Sequence, residues 1–437
     1  MRGSLLALTA LCLACKGDPD ATPWCSLRRD DAPLDASVAR TYWRDLKPLV
    51  DARCIRCHQA DGIAPFPLTR HADFVGRIDA LRRVVTERTM PPYHAARCCT
   101  PYRFDEALTD AERDTFLTWL AQGAPEGDPA AAPATPPRPV GGLSRVDLTL
   151  RMPEAYLPEP PPGSTDDNRC FVLPWPVDRA MYITGMDVVP GARGVVHHLV
   201  VGALAGGDAD EAEARDRADP LPGFSCNDGF GGIRNVQLLG GSLLGSDFPD
   251  GLGHRIEPGG RILLNIHYST AHHDTLRDQT AVRLRLDPQA REFKTLSVVN
   301  PAWLIGDALR IPAGEPDAVF FYQHRPTVST GGNRVWLLNA TAHMHEFATR
   351  VRMMVIRADG RRECLLEIPR WEFGWERPYW FDAPKVLEPD DELYIECHFD
   401  NTAANQPQPG SAPRDIAWGG NNQDMCAGFI AFTTEAP

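Results

Sequence analysis

The sequence predicts a multidomain protein, a small all-α domain followed by two tandem all-β sandwich domains. Three observations carry this reading. Apolar residues recur at helical spacing within 38–127. Period-two alternation around turn pairs takes over from about residue 143. Between the two textures, 124–140 reads APEGDPAAAPATPPRPV, a Pro- and Ala-rich stretch suited to a semi-rigid linker. At 437 residues the chain exceeds one domain of ordinary size, roughly 150 residues. The nearly 300 residues after the linker are enough for two sandwiches.

The chain opens with the features of an export signal. Arg2 supplies the positive start, and Leu5 to Leu13 form an apolar core too short to span a bilayer. A Leu13-Ala14-Cys15 ending resembles a bacterial lipobox, which would put a lipid on Cys15, although Cys12 stands where an aliphatic residue is usual. Plain cleavage near the same point is the alternative. Either way the expectation is an exported bacterial protein, periplasmic or a lipoprotein of the outer membrane or cell surface. Membrane contact is expected only through the lipid, since no window reaches the roughly 18 apolar residues of a spanning helix. A net charge of −13 without a long basic run argues against nucleic acid as a partner. The expected division is signal 1–15, polar tether 16–37, helical domain 38–127, linker 128–142, and β domains 143–300 and 301–437.

In the helical part, Leu46, Leu49 and Val50 mark a first helix over 45–52. Phe74, Ile78, Leu81 and Val85 make a second stripe. Thr109-Asp110-Ala111-Glu112 is a capping box that opens a third helix, with Phe116 and Leu120 on one face. Cys54, Cys57 and His58 stand in the spacing C-x-x-C-H, the attachment signal for one covalently bound haem c. Three helices around such a peptide make a small cytochrome c. A zinc site or a redox pair is the bland reading of C-x-x-C, and export and helical surroundings argue against both. His58 is the expected axial ligand and Met90, in Thr-Met-Pro-Pro, the sixth, with His94 as rival. Met/His ligation leaves no open position, so this haem should carry electrons.

Twelve cysteines are present. Setting aside Cys12, Cys15, Cys54 and Cys57 leaves Cys25, Cys98, Cys99, Cys170, Cys226, Cys364, Cys397 and Cys426. In an oxidising compartment most should pair, and spacing alone does not say how. A join of Cys25 to Cys98 or Cys99 is a guess.

After the linker, segments 261–270 and 350–368 alternate as strands do, the second around the hairpin pair Asp359-Gly360. His343 and His345 flank Met344, and on a strand i and i+2 share a face, so both imidazoles can reach one metal. Two exposed histidines on one face are also common. His197 and His198 are adjacent and would need a bulge to act together. His267 lies on a strongly apolar strand, where a satisfied core histidine is the default. His71, His254, His272 and His273 read as solvated loop residues. Five strand histidines together with Met425, in Gln-Asp-Met-Cys, are harder to dismiss. Imidazole suits copper, and a thioether selects Cu(I).

The ordered set V-H-H at 196–198, I-H-Y at 266–268, H-M-H at 343–345 and D-M-C at 424–426 resembles the copper type II, ascorbate-dependent monooxygenases, the group of peptidylglycine α-hydroxylating and dopamine β-monooxygenases. The resemblance covers the chain from about residue 143 onward. It implies two tandem jelly-roll-like domains holding two copper ions. His197, His198 and His267 would bind the electron-transfer copper. His343, His345 and Met425 would bind the copper where O2 is activated, and are the catalytic set. It further implies disulfides Cys170–Cys226 and Cys397–Cys426. A small organic or peptide-like substrate and O2 would be consumed, with electrons from an external donor delivered through the fused haem. Peptidylglycine enzymes hold the substrate carboxylate with an Arg and a Tyr at positions that are here Thr341 and Phe429. Glycine-extended peptides should therefore be poor substrates. Two readings from other classes stand beside this: a haem/copper electron-transfer or copper-handling protein without hydroxylase activity, and a structural surface lipoprotein.

Overall fold

The computed structural model describes residues 24, 37–55, 57–60, 64–133, 143–162, 164–226, 230, 232–233, 236–240, 245–249, 251–270, 274–304, 308–408, 410–419 and 423–436. The export signal with Cys12 and Cys15, Cys25, most of the tether, much of the linker, His272 and His273 lie outside them.

A wide helical turn, Tyr42–Leu46, runs into the helix Lys47–Arg53 and buries Leu46, Leu49 and Val50. The stripe from Phe74 to Val85 forms two helices, His71–Val75 and Ile78–Thr86, because the chain turns at Gly76 and Arg77. The helix Asp110–Ala121 opens on a reciprocal cap. Thr109 Oγ1 accepts from Glu112 N at 3.2 Å, and the Glu112 carboxylate accepts from Thr109 N at 2.7 Å. These pieces gather around Tyr42, Phe74, Phe116 and Trp119, all buried.

The rest of the described chain is built on strands. One six-stranded sheet carries Leu148–Arg151, Ala281–Asp287, Met181–Val189, Leu252–Ile256 and Arg291–Glu292, with Ser246–Asp247 paired to Met181–Val189. A five-stranded sheet orders Phe224–Ser225, Asp166–Pro174, Arg261–Ser269, Val196–Leu204 and Gln237–Gly240. Both contribute to one apolar core, from Leu150, Ile183 and Val282 on the first to Phe171, Leu199 and Ile266 on the second. A second core lies between two four-stranded sheets. One orders Lys294–Val298, Ala427–Thr433, Val335–His343 and Tyr379–Leu387; the other orders Ala318–His324, Glu392–Phe399, Ala348–Ile356 and Arg362–Ile368. Asp359-Gly360 turns the last pair, with Gly360 at φ 84°, where only glycine is unstrained.

The expected fold class, a free-standing all-α cytochrome c domain followed by two jelly-roll-like sandwich domains, is corrected by this structure. The described chain is mostly β. Its seven α-helices are short, the longest having 13 residues. The helical segment is also not a domain apart. Tyr93, Ala95 and Tyr102 belong to the same core as Val335, Val351 and Ile395. Tyr102 pairs with Phe381 in the edge strand Tyr379–Leu387, and its hydroxyl donates to Leu365 O at 3.0 Å. Arg103 N donates to Trp380 O at 2.8 Å, and Ala96 N to Glu367 O at 2.8 Å. Cys99 is disulfide-bonded to Cys364. The physical reason is the edge: an outer strand presents unpaired backbone groups, and the stretch around Tyr102 covers this one. Aromatic residues at 93 and 102 have no helical period, so helix counting passed over them.

Disulfides also join Cys170 to Cys226 and Cys397 to Cys426. The Cys99–Cys364 bond removes Cys99 from the guessed pairing with Cys25. Cys98 is itself disulfide-bonded. Trp24 packs on the sheet that carries Glu392–Phe399 and Ala348–Ile356. Its ring meets His398 edge-on at 5.4 Å, with the guanidinium groups of Arg350 and Arg352 over it at 5.0 and 4.8 Å.

Candidate metal centre

The strand Val196–Leu204 pairs with Arg261–Ser269, and its register shifts between Val196 and His198. Val196 faces Tyr268 and His198 faces His267, so His197 is the extra residue of a bulge. The bulge lets neighbouring imidazoles act on one point. Nδ1 of His198 lies 3.3 Å from Nδ1 of His197 and 3.2 Å from Nδ1 of His267. Ligand-competent nitrogens of all three are within 4.8 Å of one another. Two of the rings are also held from elsewhere. His267 Nε2 is 3.0 Å from Asp166 Oδ1, and His198 makes a backbone hydrogen bond to Gly374. Tying one ring nitrogen fixes which one is left for a metal.

Burial favours the neutral form of two of these rings. It lowers the His197 pKa to about 4, helped by His267, and sets His198 well below the usual range. A metal needs neutral imidazoles, and His197 and His198 meet that requirement.

The second group stands at the end of the strand Val335–His343. Met344 points into the core, fully buried, while the His343 and His345 rings meet at 5.1 Å. His343 Nδ1 lies 2.7 Å from Glu376 Oε2, and His345 Nδ1 lies 3.0 Å from Gln423 O. Both rings therefore keep Nε2 for a ligand, the opposite choice from the first group. Burial alone would lower the His343 pKa, but the charge and hydrogen bond of Glu376 outweigh it and raise it. His345 is pushed down to about 3 by burial and by His343. Met425 is brought alongside by Asp424. The Asp424 carboxylate accepts from His345 N at 2.7 Å, Met425 N at 2.8 Å and Phe347 N at 2.9 Å. Cys426, next in sequence, is bonded to Cys397.

One cavity of about 400 Å³ connects the groups, lined by His198 on one side and by His343, His345 and Met425 on the other. The short segment 373–376 sits between them. Phe373 lies 5.8 Å from His267 and 5.3 Å from His345. Trp375 is 5.1 Å from His197.

Cys54, Cys57 and His58 share a tight turn after the helix Lys47–Arg53. Cys57 N and His58 N both donate to Cys54 O, at 3.2 and 3.0 Å. His58 Nδ1 is 2.9 Å from Phe66 O, which leaves Nε2 for an iron. Burial, followed by Cys57, pushes the Cys54 thiol up to about 12, the reverse of a reactive redox pair. Met90 is placed differently. It is exposed, at 38%, and with His94 lines a cavity of about 250 Å³ whose described walls include none of Cys54, Cys57 and His58. His94 is buried. Its Nε2 makes no hydrogen bond and lies 3.9 Å from Glu372.

Sequence reasoning passed over Asp166, Phe373 and Glu376. Asp166 and Glu376 meet histidines 101 and 33 residues away, and no local pattern announces such pairs. Asp424 was visible as the first letter of D-M-C, though its work on three backbone amides was not. His254, read as a loop residue, is 2% exposed on a strand.

No protein-family model matches the chain, and no curated protein sequence matches it. Among solved structures, the major capsid protein P2 of bacteriophage PM2 aligns at 9% identity, covering 66% of this chain and 98% of that one, with a TM-score of 0.24. The infectious bursal disease virus VP2 subviral particle aligns at 9% identity over 65% and 70% of the two chains, TM-score 0.18. Procruciferin of Brassica napus aligns at 9% identity over 64% and 88%, TM-score 0.09. Likeness this low carries no argument about fold or function.

Proposed function

We propose that the chain is an exported, copper-dependent monooxygenase similar to the peptidylglycine and dopamine group, supplied with electrons through a covalently bound haem. The observation that carries this reading is the facing of two unlike ligand sets across one cavity. Three imidazoles converge through Nδ1 on one side, and two imidazoles with Nε2 free stand with a thioether on the other. The donor chemistry fits copper: soft sulfur in one set, three imidazoles in the other. The turn holding Cys54, Cys57 and His58, with Nδ1 of His58 engaged by a carbonyl, fits a haem c on its proximal side. Export is supported by three disulfides among the described residues.

When bound, copper would supply O2 activation and one-electron storage, for the overall conversion of R–H, O2, two electrons and two protons to R–OH and water. The protein's own contribution is positional. Asp166 and Gly374 fix the rings of His267 and His198. Glu376 and Gln423 O fix those of His343 and His345. Asp424 and the Cys397–Cys426 bond hold the Met425 loop on the H-M-H strand. The disulfide and strand contacts of residues 93–103 bind the haem-bearing segment to the β part, so an electron from the haem crosses within one molecule.

The test is metal content of the mature protein, expressed with haem maturation and copper supplied. One iron and two coppers per chain are expected, with one copper weakened by Met425→Ala. Iron without copper defeats the reading. Two coppers without any O2-dependent product would leave a haem/copper electron-transfer or copper-handling protein.

A further inference from the structure

The cavity between the histidine groups has a wall that metal binding does not use. Away from the imidazoles it is lined by Phe230, Ile233, Leu238, Leu239, Phe293 and Phe429. Besides histidine, two charged side chains among the described residues line it, Glu376 and Arg377, and both are already engaged. Glu376 holds His343 at 2.7 Å. Arg377 donates through Nη1 to Glu106 at 2.7 Å, and its guanidinium lies 5.6 Å from the Tyr93 ring. Glu106 belongs to the stretch that docks the helical segment onto the β part. A ligand carboxylate would therefore compete with Glu106 for the guanidinium and meet Glu376 as a like charge. It would also shed its water against aromatic and aliphatic carbon, at high cost for an ion and little for an apolar body. Pockets that are apolar with a few fixed polar groups take ligands of matching character.

We propose that this cavity binds a neutral, largely apolar small molecule, and that the substrate belongs to that class. The binding follows from the cavity; only the naming of the ligand as substrate rests on the monooxygenase reading.

The test compares two probes of one ring skeleton, neutral N-phenyl-1-naphthylamine and anionic 1-anilinonaphthalene-8-sulfonate. Equilibrium dialysis is run on the full mature chain, as isolated and after copper is stripped. One saturable site for the neutral probe is expected, with the sulfonate at least tenfold weaker. Thr341→Trp and Leu238→Trp, on different walls, should each weaken the neutral probe at least tenfold. Glu106→Gln, by releasing Arg377, should narrow the gap between the probes. Equal or tighter binding of the sulfonate to the unaltered chain overturns the proposal. So does a neutral probe that never saturates, or one that ignores both tryptophan variants. Copper bound without neutral-probe binding would leave the metal reading standing and end this one. Probe binding without copper would do the reverse.

Discussion

Phe373 and His345 meet with ring centroids 5.3 Å apart, and the same phenyl ring stands 5.8 Å from His267. One side chain thus touches a member of each histidine group. The next residue, Gly374, backs onto His197 so closely that an added Cβ would lie 2.4 Å from its Cε1. Phe373→Ala should therefore disturb both sites and Gly374→Ala chiefly the three-histidine site. Copper titration against a chelator should show affinity falling by about 10- to 100-fold, the usual effect of losing a group that positions a ligand. Equal loss at both sites in Gly374→Ala would defeat this.

Asp424 is fully buried and gives its two oxygens to three backbone amides. Burial pushes its pKa up to about 7, while the three N–H donors pull the other way. Asp424→Ala would leave those amides unpaired, each costing about 1–3 kcal/mol. A loss of roughly 3–9 kcal/mol in urea denaturation is expected, with Asp424→Asn recovering part of it. A change below about 1 kcal/mol would mean that water replaces the carboxylate.

His254 is buried, its Nδ1 has no hydrogen-bond partner, and burial depresses its pKa to about 4. The unfolded chain binds this proton near pH 6.5 and the folded chain does not. The stability it contributes is full above pH 6.5 and is lost as pH falls toward 4, at about 1.4 kcal/mol per pH unit. His94, also held at about 4, adds to the slope. The denaturation midpoint of wild type should fall across this window, and His254→Leu should fall less steeply. Parallel slopes would exclude His254 as a contributor.

The docking of residues 93–103 predicts what cutting the linker will do. A protease site introduced within 128–133, which is exposed, should be cleavable without separating the halves on a sizing column. Under reduction, loss of Cys99–Cys364 should weaken the assembly by about 2–5 kcal/mol. Burial of Tyr93 and Tyr102 in the second β core should still hold the pieces together. Free separation before reduction would contradict the shared core.

Much of the candidate site can be read from the chain alone. C-x-x-C-H, H-H, H-x-H and D-M-C are local patterns, and side-chain chemistry makes them candidate ligands wherever they fold. The cap at Thr109 and the turn at Asp359-Gly360 are likewise set by neighbours within a few residues. What only the tertiary structure decided depends on partners far apart. The bulge that makes His197 useful exists because Val196–Leu204 pairs with Arg261–Ser269 across a shifted register. The choice of Nδ1 in one group and Nε2 in the other is made by Asp166, Gly374, Glu376 and Gln423, none adjacent to the ring it holds. The helical segment ceased to be a separate domain because an edge strand some 280 residues later needed its backbone covered. Periodicity measures what one element buries; it does not report which distant element is there to bury it.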